Sequence, residues 1–432
     1  MMRNNLLAEQ QTAMRGGLVF ALALFFVLLP VGAGPQGAAE GSGLRQFVLV
    51  LLFMSATFTI ARFPERLRLV ARALPLGLLA LLVYALMSSL WSPERYVSFK
   101  RVVQLIGVAL LGLALVAGGD GRPRLLRLAE PVLWLGMLLA IIVGAAVRDF
   151  AFAENGFRAF MATKNNFGQF AALCVLVPIA LLHVDAGRRR GARLLLAALG
   201  LAGLVLSRSV TAGVALGVVA VVYLAFRALR GLHRSWWMVL LVVAIAFLTL
   251  LFATGVVLGF PSLDEASGQL ARLIGRDITL TGRAYLWELM LREIAHHPWF
   301  GTGYGGFWLG LQGASGQIAY LVKWGYPGQA HNGYLDIVNE LGVVGLFLLG
   351  AFLVQHALAL ARLRYIDPAQ AGFHTALLVM VLVLNLAEAA ILRTTHFYWI
   401  LLVASTIEVR LLAHQPAASR LPGRAAVQRF AT

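Results

Sequence analysis

Three side chains of this 432-residue chain have types and settings that suit one kind of chemistry: Arg208, Arg283 and His331. Arg208 is the lone charged residue in LLLAALGLAGLVLSRSVTAGVALGVVAVVYLAF, residues 194–226. An arginine at membrane depth faces a water-filled cavity or a bound anion, or else snorkels to the headgroups. Arg283 falls in the first turn of TGRAYLWELMLREIAHHP, residues 281–298, where the helix dipole disfavours a cation. Either an anion binds there or a carboxylate such as Asp277 or Glu288 pairs with it. His331 opens HNGYLDIVNELGVVG, and an imidazole can act as a base near neutral pH. Guanidinium groups are permanently charged and match phosphate oxygens, so the set reads as an anion clamp beside a base.

The elements that must position these residues are membrane helices. Hydrophobic residues make up 60% of the chain and charged ones 13%, with a mean hydropathy of +0.81, whereas an ordinary domain is about a quarter charged. Apolar runs long enough to cross a bilayer fall near 17–33, 45–62, 74–91, 102–118, 131–148, 166–184, 194–207, 210–226, 236–259, 332–361, 373–391 and 395–412. The expectation is an all-α integral membrane protein of about twelve transmembrane helices: nine over 1–259, a large outer loop over 260–331, three more over 332–412, and a short basic tail over 413–432. As one helix, 194–226 would extend about 50 Å, too long for a hydrocarbon core of about 30 Å. The chain must therefore turn back, and Ser207-Arg208-Ser209 is the natural corner.

The clusters Arg62/Arg66/Arg68/Arg72, Arg122/Arg124/Arg127, Arg188/Arg189/Arg190/Arg193 and Arg227/Arg230/Arg234 all fall on one side of that plan. They assign that side, and both termini, to the cytoplasm. The formal charge of +17 is thus mostly topology, and nothing resembles a basic, aromatic-interleaved nucleic-acid arm. Cys174, the sole cysteine, lies in an apolar run and reads as a buried side chain.

Within the outer loop, Leu286, Leu289, Met290 and Ile294 repeat at helical spacing, which predicts an amphipathic helix stopped by Pro298. The stretch GTGYGGFWLG follows as a tight irregular segment. With His331 as the zero of a helical wheel, Asn339, Asn332, Asp336 and Glu340 fall between about 80° and 180° from it. That polar flank faces a cavity or a hydrogen-bonded helix contact. Gly342 and Gly345 lie on the other side, where a neighbouring helix could approach closely. His296 and His297 are adjacent and point about 100° apart, so they do not form a zinc site with His331.

Three segments resemble, in order, the pattern of the O-antigen ligase and polymerase superfamily: SRSVTAGVALG at 207–217, TGRAYLWELMLREIAHHPWFGTGYGGF at 281–307, and HNGYLDIVNELGVVG at 331–345. MATKNNFGQF at 161–170 resembles the entry to an earlier span of the same family. The resemblance implies a metal-independent, cofactor-free membrane glycosyltransferase of the GT-C type. It would move a polysaccharide from undecaprenyl diphosphate to a lipid A-core hydroxyl at the periplasmic face of a bacterial inner membrane. On this resemblance the catalytic residues are His331, Arg208 and Arg283. Lys164, Asn332 and Tyr334, together with the two arginines, are expected to contact substrate. The chemistry agrees: a diphosphate leaves as a stable anion and needs fixed positive charge, while the attacking sugar hydroxyl needs a base. A polymerase joining carrier-linked repeat units is the alternative within the superfamily. A lipid-linked saccharide flippase is the alternative from another class, though it has no use for a base.

Overall fold

The structure, a computed structural model, describes residues 43–61, 73–117, 125–152, 156–184, 189–228, 280–322, 325–394 and 396–414. Among these residues there is no strand. The helices are α1 (Gly43–Ala61), α2 (Leu76–Ser88), α3 (Arg95–Ala117), α4 (Leu125–Ala146), the single turn α5 (Arg148–Ala151), α6 (Lys164–Val184), α7 (Arg190–Ser207), α8 (Val210–Ala228), α9 (Leu280–Ile294), α10 (Gly313–Val322), α11 (Gly333–Leu363), α12 (Pro368–Leu384) and α13 (Phe397–Ala413). Ten of the twelve apolar runs coincide with helices, and the other two, 17–33 and 236–259, lie outside the described residues. By length and composition α3, α4, α6, α7 and α11 can each cross a membrane, and α2, α8 and α12 are apolar but shorter. The chain is a helical membrane protein.

Small residues set the close packing, as they must where lipid offers no hydrophobic gain for helix association. Gly200 and Gly203 let α7 approach α6, since a Cβ at Gly200 would strike the Ala171 carbonyl and Cys174, which is buried. Gly77 does the same for α2 on α11, and its N–H donates to Gln355 Oε1 at 3.0 Å. The turn at Ser207–Ser209 forms where expected: α7 ends at Ser207, α8 starts at Val210, and Arg208 caps α7 in the left-handed conformation, φ +52°.

The outer loop builds a second, smaller core. Leu286, Leu289, Met290 and Ile294 on α9 are buried against Phe307, Trp308, Leu335 and Val338, each worth about 1.5–3 kcal/mol as an upper estimate. Trp287 Nε1 donates to the Ala330 carbonyl at 2.8 Å, which fixes α9 beside the residue before His331.

α11 is broken. Gly342 adopts φ +66°, ψ −172°, and the carbonyls of Asn339 and Glu340 lose the helical N–H partners at Val343 and Val344. The segment 298–303 supplies all four missing bonds. Thr302 N donates to Asn339 O at 2.9 Å and Gly303 N to Glu340 O at 2.9 Å; Val343 N donates to Pro298 O at 2.9 Å and Val344 N to Trp299 O at 3.2 Å. Gly342 therefore admits a crossing loop and not a neighbouring helix, correcting the wheel-based expectation. His331 also lies outside the wheel. The cap of α11 is Asn332, whose Oδ1 accepts from Tyr334 N and Leu335 N, and His331 precedes it at φ +49°. The run 373–391 is likewise shorter as helix: α12 ends at Leu384, and Asn385 Oδ1 accepts from Ala390 N and Ile391 N, folding the rest into a loop.

Candidate active site

The loop after α12 brings the site together. Glu388 on it is buried, and its carboxylate meets four groups from three parts of the chain. His331 Nδ1 lies 3.2 Å from Oε2, and Gln329 Nε2 donates to the same oxygen at 3.0 Å. Asn165 Nδ2, from the first turn of α6, donates to Oε1 at 2.9 Å. Arg283 Nη2 from α9 stands 3.5 Å from Oε1, while its Nη1 donates to the neighbouring Ala387 carbonyl at 3.0 Å. Burial works against the charged carboxylate, but His331, Arg283 and the Asn165 amide outweigh it and hold Glu388 below the ordinary carboxylate range. A carboxylate only accepts, so it claims the Nδ1 proton of His331 over the Gln329 amide at 3.3 Å and puts the lone pair on Nε2.

The Ser207–Ser209 turn joins this hub through one relay: Ser209 Oγ donates to Asn165 Oδ1 at 3.1 Å, and Asn165 donates on to Glu388. Arg208 itself is exposed at the turn. Lys164, next to Asn165, is half-buried, and its stem lies where a Cβ on Gly156 would be, beside the Ser207 carbonyl. A second histidine nearby, His396, uses Nδ1 to cap α13 at Tyr398 N, and burial pushes its pKa down to about 4, so it is a poor base.

Residues 195–350 match the family model described as O-antigen ligase. That segment holds Arg208, Arg283 and His331. Over that segment the chain is similar to the O-antigen ligase family. It is also similar to the exopolysaccharide production protein ExoQ of Rhizobium meliloti (strain 1021), at 26% identity over 291 residues. That match covers 65% of this chain and spans 63% of the relative's length.

The fold brings Arg283 and His331 together on one carboxylate. Arg208 and Lys164 reach the hub through their neighbours Ser209 and Asn165. Asn332 is buried and engaged in capping α11, and Tyr334 Oη donates to the Leu382 carbonyl at 3.1 Å, so both shape the loop junction. Glu388, Gln329 and Asn165 were not singled out from sequence, and Glu388 and Asn165 fall outside the matched segment. One signal pointed to Glu388: the only acidic side chain in the largely apolar run 373–391 demands a partner. Arg283 pairs with Glu388 and not with Glu288, which bonds Arg292 one turn along α9. Asp277 lies outside the described residues. Among the described residues no three His, Cys, Asp or Glu side chains are placed to hold a metal ion.

Proposed function

We propose that the chain transfers a glycan from a polyprenyl diphosphate carrier to a sugar hydroxyl, with His331 as general base and Arg208 and Arg283 as the diphosphate clamp. The observation that carries this reading is the shared grip of Glu388 on His331 and Arg283, 3.2 and 3.5 Å away. It orients a base and a phosphate-matched cation toward one locus. His331 Nε2 takes the proton of the acceptor hydroxyl as its oxygen attacks the anomeric carbon. The carbon–oxygen bond to the carrier breaks from the opposite face, and the diphosphate departs as an anion, so the sugar centre inverts. Two contacts use two of the five guanidinium donors of Arg283, which leaves donors for phosphate oxygens. Loss of Nδ1 charge compensation by Glu388 would raise the barrier to forming the imidazolium.

The description of the family model, O-antigen ligase, favours a lipid A-core hydroxyl as acceptor. In this reading the carrier is undecaprenyl diphosphate, and the apolar runs and arginine clusters favour about twelve spans with both termini in the cytoplasm and the reaction at the periplasmic face of the inner membrane. The printed name of the Rhizobium relative favours a second reading, in which the acceptor is another carrier-linked glycan and the product a longer polymer. Purified protein incubated with a carrier-linked polysaccharide and either lipid A-core or a second carrier separates them by which acceptor is extended. Extension of neither, with movement of the glycan across vesicle membranes, would overturn both in favour of a flippase.

A further inference from the structure

The alignment of His331 with Glu388 depends on how the loop 385–394 is held against α11. Backbone contacts pin its ends: Gly333 N donates to Asn385 O at 2.8 Å, and Tyr304 Oη donates to Leu392 O at 2.6 Å. Between Leu392 and the start of α13 stands Arg393, whose Nη2 is 2.7 Å from Asp336 Oδ2 and whose Nη1 donates to Glu340 Oε1 at 3.2 Å. Asp336 and Glu340 are one turn apart on α11, so one guanidinium can fork across both. The remaining carboxylate oxygens are also engaged. Asp336 Oδ1 accepts from Trp308 Nε1 at 2.8 Å and from Ala330 N at 3.1 Å, and Glu340 Oε2 accepts from Gly305 N at 3.0 Å. Asp336 thus holds both the residue preceding His331 and the arginine five positions after Glu388. Both halves of the base pair are referred to one carboxylate. Both terminal nitrogens of Arg393 are turned to protein carboxylates, so Arg393 works through protein groups and not on substrate.

We propose that Arg393 is a positioning residue of the site: forked across Asp336 and Glu340, it sets the register of the Glu388 loop against His331 and so the alignment of the base. This rests on the reading of His331 as general base.

The test is single-turnover transfer from a carrier-linked glycan by the full-length protein bearing Arg393→Lys, which keeps the charge but cannot fork. Its rate is expected to fall about 10- to 100-fold, the scale of a 1 Å misplacement, with carrier affinity unchanged. In a His331→Ala background the same substitution should cost little more, because both changes act through one group. A normal rate for Arg393→Lys, weakened carrier binding, a full additive loss in the double variant, or failure of Arg393→Lys to fold would each overturn the proposal. A slow His331→Ala beside a normal Arg393→Lys overturns it alone, whereas a normal His331→Ala removes the base reading and this proposal with it.

Discussion

His331 Nδ1 and Glu388 Oε2 stand 3.2 Å apart, joined across 57 residues of chain, with Arg283 on the other oxygen of the same carboxylate. One acidic side chain thus holds the two groups whose roles the family resemblance implies. Replacing Glu388 by Gln should lower single-turnover transfer by about 10- to 100-fold, the usual loss when the partner that orients an imidazole is removed. Carrier binding should change less than rate. Rates compared from pH 6 to 9 check this, and an unchanged rate and profile would show the contact to be structural only.

The two arginines should separate on stability. Arg208 is exposed and sits at φ +52°, a conformation that disfavours any side chain by about 1–2 kcal/mol. Arg208→Gly should therefore melt higher than Arg208→Ala, while both lose transfer. Arg283→Ala should lose transfer and also lower the melting temperature, since it leaves a buried Glu388 with one cation fewer. Thermal melts in detergent beside the transfer assay read both effects.

Gly342→Ala should destabilise the protein by more than about 2 kcal/mol. The site requires φ +66°, and a Cβ there would collide with the Trp299 carbonyl of the crossing loop. Gly217→Ala, at helical backbone in α8 with open space for a Cβ, serves as the comparison in the same melts; equal effects from the two would show that the crossing loop is not tied to the break.

The charged form of Glu388 is favoured by folding, so its contribution is present at neutral pH and is lost as pH falls through its depressed folded value. The melting-temperature advantage of the unmutated protein over Glu388→Gln should be full at pH 7 and vanish only below the ordinary carboxylate range. An advantage that is already gone at pH 6 would contradict the assignment.

Local pattern was enough to specify the membrane helices, the amphipathic α9 and the Ser207–Ser209 corner, because each rests on hydrophobic period, length and capping within a few residues. Motif resemblance likewise marked Arg208, Arg283 and His331. Tertiary structure alone decided which carboxylate Arg283 and His331 meet. Glu388 and Arg393 flank an apolar stretch that reads as the end of a span, and their partners lie 57, 105 and 53 to 57 residues away in sequence, a pairing no local period encodes. The polar flank of α11 shows the same division. Sequence placed Asp336 and Glu340 on one side of a helix, but the left-handed turn at His331 and the break at Gly342 come from the crossing segment 298–303 and the Asn332 cap. Those contacts satisfy backbone groups that a helical wheel assumes are already paired, which is why the wheel could not show where His331 would lie.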